Sequence, residues 1–211
     1  EKIIFSVPSG NFGDMMGGVI AMKMGLPVEK FLIAVNKNDE FPKLLQSEKY
    51  SKVEPSENCL SSAMNVGHPS NLARLIELYG GNMDEKGNIK KQPDFNAMRR
   101  DLFTLSISDL ETKRTIAEVF DKYKIIIEPH GAVGWSCLQS YLEKKDDKNQ
   151  LYVCLETAHP AKFPESIKEI NGIDPELPQS LKNLDDKEES FVTMENNYET
   201  FKKYLKENYS K

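Results

Sequence analysis

The chain has 211 residues, with 28 lysines and arginines against 33 aspartates and glutamates and a net charge of -5 at pH 7. That length suits one ordinary domain or a generous piece of a longer protein, and the charge forms no basic stripe that would track a phosphate backbone, which argues against nucleic acid as a partner. Three cysteines without paired spacing, Cys59, Cys137 and Cys154, and the lack of any signal peptide or run of roughly 18 apolar residues lead us to expect a cytoplasmic protein that does not enter a membrane.

After Glu1 and Lys2 the chain enters Ile3-Ile4-Phe5-Ser6-Val7, which reads as a strand buried on both faces. Termini are usually exposed and frayed, so a core strand this early suggests that preceding elements are missing. The turn Pro8-Ser9-Gly10-Asn11-Phe12-Gly13-Asp14 leads into a predicted helix over 15–24, and Phe31-Leu32-Ile33-Ala34-Val35 is the next expected strand. From about 38 to 104 the chain is rich in Ser, Asn, Pro and Lys, with turns at Gly80-Gly81-Asn82 and Glu85-Lys86-Gly87-Asn88. It reads as an inserted irregular region with short helices. A helix is expected over 108–123, with Leu110, Ile116, Ala117, Val119 and Phe120 on one face, and another over 132–141. Strands are expected at Ile125-Ile126-Ile127 and at Leu151-Tyr152-Val153-Cys154-Leu155.

Alternating strands and helices predict an α/β fold with a mostly parallel sheet, its ligands lying outside the carboxyl ends of the strands. The domain is expected over 1–172. Past it, Pro175, Pro178 and the acidic run Asp185-Asp186-Lys187-Glu188-Glu189 separate an extension over 173–211, which ends in a helix around 198–209.

A strand, a glycine turn and a helix start can make an anion site, because glycines let backbone N–H groups converge and the helix terminus adds unpaired donors. In such a site the Asp14 N–H can face the anion while its carboxylate points away. The same pattern also serves tight packing, and it is neither a dinucleotide fingerprint nor a Walker loop. Two later strand ends add polar turns, Glu128-Pro129-His130-Gly131-Ala132-Val133-Gly134 and Glu156-Thr157-Ala158-His159-Pro160-Ala161-Lys162-Phe163. All three turns are expected at one edge of the sheet. Taken alone, Pro129 and Pro160 suit turns or first helical positions, and His130 and His159 suit structural hydrogen bonds as well as chemistry. The histidines and cysteines show no compact metal-ligand spacing.

The words VPSGNFGD, EPHGAVG and TAHPAKF, in this order and with flanking GLPVEKFLIAVNKND and LSSAMNV, resemble the threonine synthase family over at least residues 3–172. The resemblance is to its carboxy-terminal half. It implies the tryptophan synthase beta-like fold of the type II pyridoxal-phosphate enzymes, here a partial three-layer sandwich that is incomplete without the amino-terminal half. The glycine loop and the EP-G-A turn are shared with serine and threonine dehydratases, whereas TAHPAKF is the discriminating word. By this likeness Gly10, Asn11, Phe12, Gly13 and Asp14 bind the phosphate of pyridoxal 5'-phosphate, and Thr157 approaches its pyridine nitrogen. A neutral hydroxyl can share a hydrogen bond there but cannot stabilise a pyridinium as a carboxylate would. Glu128, His130, His159 and Lys162 are expected near the substrate or behind the groups that touch it. Glu128 could lie near the ring without contact, and Lys162 has a structural or substrate-phosphate role.

The family converts O-phospho-L-homoserine and water into L-threonine and phosphate. Its Schiff-base lysine lies in a motif like SxAFKD in the amino-terminal half, a motif absent here, so no catalytic residue is assigned in this chain and the chain alone is expected to be inactive. The competing readings are a dehydratase-like lyase of the same fold and a non-catalytic cofactor-binding or interaction module.

Overall fold

The segment Ile3–Pro8 forms β1, and its apolar character follows from its position: it is paired on both sides and covered on both faces. It runs parallel to β2 (Val28–Val35), with Phe5 opposite Phe31 and Val7 opposite Ile33, and parallel to β6 (Leu151–Cys154), with Ile4 opposite Tyr152. A fourth strand, β5 (Leu102–Ser106), adds to the far side of β2, with Phe31 opposite Leu102 and Val35 opposite Ser106. The sheet order is β5-β2-β1-β6, all parallel. The computed structural model describes residues 2–145, 149–184 and 186–210, so Asp185 of the acidic run lies outside the described residues.

Two of these assignments correct the sequence reading. The run 125–127 is not a strand. It joins α5 (Asp109–Tyr123) to α6 (Pro129–Leu142) in the few residues between the left-handed cap at Lys124 and the N-cap Glu128. Ile126 and Ile127 instead pack with Ile116, Ala132, Ile167 and Ile170, so their apolar character is explained by helix packing. The strand that was missed, β5, begins within the region expected to be irregular.

The period of two along β2 builds both layers of the core. Phe31, Ile33 and Val35 face one cluster with Val7, Met15 and Val19, the last two from α1 (Gly13–Lys23), and with residues of α2 (Glu40–Ser47), α3 (Leu72–Leu78) and α4 (Phe95–Asp101). Leu32 and Ala34 face the other cluster with Ile4 and with Val133, Cys137, Leu138 and Tyr141 of α6. Each large side chain buried in this way contributes about 1.5–3 kcal/mol. The region between α3 and α4 carries a short antiparallel hairpin, β3 (Asn82–Met83) with β4 (Ile89–Lys91).

Helix α5 begins in a capping box: the Glu111 N–H donates to Ser108 Oγ, and the Ser108 N–H donates to Glu111 Oε2. Its buried face is Thr112, Thr115, Ile116 and Val119, whereas Leu110 is 80% exposed. That corrects the expected apolar face, since the capping box turns the first-turn residue Leu110 outward. Helix α7 (Pro164–Asn171) ends at Gly172 in the left-handed conformation, φ 67°. No helix is long and apolar enough to cross a membrane among the described residues.

The chain divides into two compact units, Glu1–Glu176 and Leu177–Lys211. The second unit contains a 3-10 turn at Gln179–Leu181 and α8 (Tyr198–Tyr209). Asn197 caps this helix by accepting the Glu199 and Thr200 N–H groups, at 2.9 and 3.1 Å.

Candidate functional site

The turn after β1 is shaped by a residue with an unusual backbone. Phe12, at the N-cap of α1, adopts φ 64°, ψ 23°, a left-handed conformation that costs a non-glycine residue roughly 1–2 kcal/mol. Its ring is 1% exposed and meets Phe41 edge-on at 5.1 Å, so burial offsets the strain. Among the described residues no side chain caps α1. The first N–H groups of the helix are therefore available to an outside acceptor.

The two loop glycines serve different ends. A Cβ on Gly10 would stand 2.7 Å from the Met64 Cα and 3.0 Å from the Ala63 carbonyl oxygen, so Gly10 permits close approach to the short 3-10 turn Ser62–Met64. Among the described residues, a Cβ on Gly13 would meet nothing within 4 Å beyond its chain neighbours and its own helix backbone. Crowding within the protein thus explains Gly10 and leaves Gly13 open. Asn11 ties the loop down: its Oδ1 accepts the Ser70 N–H at 2.5 Å, and its carbonyl accepts from Asn71 Nδ2 at 2.7 Å.

A cavity of about 260 Å³ lies over this loop. It is lined by Pro8, Ser9, Gly10, Asn11, Phe12, Gly13, Asp14, Ala63, Met64, His130 and Thr157. Loop, EPHG turn and ETAH turn therefore meet at the carboxyl ends of β1 and β6. Glu128, His159 and Lys162 do not line the cavity. His159 instead caps the 3-10 turn Pro160–Lys162, its Nδ1 accepting the Ala161 N–H at 3.1 Å, and Lys162 is exposed.

Glu128 is fully buried and caps α6. Its Oε1 accepts the Gly131 N–H at 2.9 Å, and its Oε2 accepts the His130 N–H at 2.8 Å. Burial works to raise its carboxyl pKa, but the hydrogen bonds from His130 and Gly131 outweigh it and hold the group below the usual range. His130 Nε2 accepts the Ala63 N–H at 3.1 Å, which places the ring proton on Nδ1. That Nδ1–H donates to Glu128 Oε2 at 2.5 Å.

Glu156 is an exposed residue whose carboxyl end is turned inward. Oε1 accepts the Glu128 N–H at 3.0 Å, and a Cβ on Gly131 would stand 1.7 Å from Oε2. Desolvation of this carboxyl and the neighbouring Glu128 charge push its pKa up to about 7.

Sequence reasoning did not single out the wall formed by Ala63 and Met64. The turn carries no chemically distinctive side chain, and a network from the end of β2 holds it in place. Asn36 Nδ2 donates to Ser61 Oγ at 3.1 Å and to Asn65 Oδ1 at 3.0 Å, while Asn36 Oδ1 accepts from Asn38 Nδ2 at 2.8 Å. The paired asparagines of Asn36-Lys37-Asn38 directly after an apolar strand were the available signal.

Residues 131–205 match the family described as "Threonine synthase, C-terminal". A threonine synthase of Saccharomyces cerevisiae is 35% identical over 192 residues, covering 79% of this chain and 37% of that protein. One from Pseudomonas aeruginosa is 34% identical over 211 residues, covering 93% of this chain and 44% of that protein. The chain thus spans about two fifths of the length of these curated relatives. Among solved structures, a pyridoxal-phosphate-bound threonine synthase from Brucella melitensis superposes with a TM-score of 0.83 at 30% identity, over 98% of this chain and 46% of that one. A threonine deaminase from Solanum lycopersicum, at 16% identity and a TM-score of 0.52, shares the fold alone. Sequence, family match and shared fold agree that this chain corresponds to the carboxy-terminal portion of the threonine synthase family.

Proposed function

We propose that this chain supplies one wall of a pyridoxal-phosphate active site that converts O-phospho-L-homoserine and water into L-threonine and phosphate. One observation carries the reading: Gly10 to Asp14, His130 and Thr157, drawn from three distant segments, line a single cavity. The cavity fits the cofactor on its own chemistry. Uncapped N–H groups at the start of α1 suit a phosphate, Gly13 leaves space that no side chain among the described residues fills, and the Thr157 hydroxyl offers a neutral partner for a ring nitrogen. When bound, the cofactor supplies the electron sink for proton removal at the substrate.

In this reading the residues of the chain bind and orient. Backbone donors from Gly10 to Asp14 hold the phosphate, and the strained Phe12 turn aims them before any ligand arrives. Thr157 shares a hydrogen bond with the ring nitrogen without fixing a full positive charge on it. His130, with its proton committed to Glu128 and Nε2 occupied by Ala63, fixes the wall and moves no proton. None of the lining residues among those described is a lysine. The lysine that bonds to the cofactor and shuttles protons belongs, in this reading, to the remaining portion of the enzyme, and the chain alone is inactive. Lys162 serves the turn or the substrate phosphate. A cytoplasmic site of action accompanies the reading, in keeping with three free cysteines.

The test is an assay of threonine and phosphate release from O-phospho-L-homoserine with pyridoxal phosphate. It is run on the chain alone and on a chimera in which the chain replaces the matching portion of the Saccharomyces cerevisiae enzyme. Turnover is expected from the chimera only. Multiple turnover by the chain alone would overturn the placement of the lysine, and a folded chimera unable to retain pyridoxal phosphate would overturn the cavity assignment.

A further inference from the structure

Around the loop over 8–14, the cavity is walled by three further segments: the turn Ser62–Met64, the start of α6, and the stretch that follows β6. A single file of hydrogen bonds crosses all three. The Ala63 N–H donates to His130 Nε2 at 3.1 Å, His130 Nδ1–H donates to Glu128 Oε2 at 2.5 Å, and the Glu128 N–H donates to Glu156 Oε1 at 3.0 Å. Glu156 adjoins Thr157 in the chain.

We infer that Glu156 is a positioning residue, acting through Glu128 and His130 to hold the Thr157 wall and the Ala63 wall at a fixed separation around the ligand. The inference rests on the reading that the cavity holds pyridoxal phosphate.

Three features carry it. First, the file has little slack: Glu128 is fully buried, and both of its oxygens are engaged, Oε1 by the Gly131 N–H and Oε2 by the backbone and ring of His130. Hydrogen bonds to a buried carboxylate are short and strong, so a displacement at one end is carried along rather than absorbed. Second, the Glu156 carboxyl occupies the space that a side chain on Gly131 would need, which lodges it against the start of α6 instead of leaving it loose on the rim. Third, a carboxyl that keeps its proton up to about pH 7 can stand beside Glu128 with little repulsion, so the file survives the proximity of two acidic side chains. A residue that merely covered the rim would influence its neighbour Thr157 and nothing at Ala63.

The experiment uses the full chain, isotopically labelled, as wild type and as Glu156→Leu, Glu156→Gln, His130→Leu and the Glu156→Leu/His130→Leu double variant. Backbone amide spectra and equilibrium dialysis against pyridoxal phosphate are recorded for each. Glu156→Leu is expected to shift the amide signals of Glu128, Thr157 and also Ala63. Glu156→Gln, which keeps an acceptor at Oε1, should return Ala63 to its wild-type position. Each leucine variant should weaken pyridoxal phosphate binding about tenfold, and the double variant scarcely more, because the second substitution breaks a file already broken. An Ala63 signal unmoved by Glu156→Leu would overturn the inference, as would losses that multiply to about a hundredfold in the double variant. Absence of pyridoxal phosphate binding by the wild type would count against the ligand reading alone, and the amide shifts would still decide the role of Glu156.

Discussion

Substituting alanine at the two loop glycines separates packing from binding. At Gly10 the added carbon would lie 2.7 Å from the Met64 Cα and 3.0 Å from the Ala63 oxygen. Both are backbone atoms, which cannot rotate away, and Ala63 is anchored through its N–H to His130. Forced overpacking of this kind costs about 1–3 kcal/mol, a Tm loss of roughly 2–12 °C for a unit of this size. At Gly13 the added carbon would meet nothing within 4 Å among the described residues beyond its chain neighbours and its own helix backbone. Alanine there restricts the unfolded chain and should stabilise by about 0.4–1 kcal/mol. Thermal unfolding followed by circular dichroism therefore should order the proteins as Gly13→Ala, wild type, Gly10→Ala, from most to least stable. A Gly13→Ala protein as destabilised as Gly10→Ala would show instead that protein atoms crowd that position.

The other predictions address single groups. Thr157→Val keeps the branched shape and removes the hydroxyl, so pyridoxal phosphate binding should weaken by roughly 1 kcal/mol, about fivefold, with little change in Tm; equal dissociation constants would take Thr157 out of the site. Glu40 is buried, its Oε2 has no partner among the described residues, and burial and Asp39 push its pKa up to about 7. Because the folded value is raised above 4.5, this group's contribution is complete below that pH and is lost as pH rises through about 7. Denaturant titrations of wild type should show a loss on the order of 3 kcal/mol across that window that Glu40→Gln lacks, and matching pH slopes would contradict the assignment. Ser108→Ala removes the hydroxyl of the α5 capping box and should cost about 0.5–2 kcal/mol in urea unfolding; no change would show that the Glu111 carboxylate alone holds the helix start.

The legible parts of the fold were those whose side chains have one explanation. β1, β2 and β6 are apolar because they are packed in a parallel sheet, and runs of that kind read directly as strands. Ile125-Ile126-Ile127 has the same composition but lies in a linker, where Ile126 and Ile127 fill a gap between helices and Ile125 is exposed, and nothing local distinguishes that from a strand. β5, the edge strand Leu102-Phe103-Thr104-Leu105-Ser106, is only partly buried beyond Leu102 and follows a polar region, so its pattern was too weak to stand out. In the site, the glycine loop and the EPHG and ETAH turns were readable because each carries a local chemical signature, although the EPHG turn follows a helix linker and not the strand expected before it. The wall at Ala63 was not, because it is made by backbone and held by Asn36 and His130 from elsewhere in the chain. The part played by Glu156 likewise depends on where its carboxyl goes, which spacing alone does not reveal.

The claim that matters most is that the turn between β1 and α1 grips a phosphate. Equilibrium titrations of the chain with pyridoxal phosphate and with pyridoxal, which lacks the phosphate, test it directly. Repeating both with Gly13→Val adds a side chain in the space left open at the start of α1. Pyridoxal phosphate is expected to bind at least about tenfold more tightly than pyridoxal, with inorganic phosphate competing and Gly13→Val erasing most of that advantage. Equal affinity for the two ligands, unchanged by Gly13→Val, would contradict it.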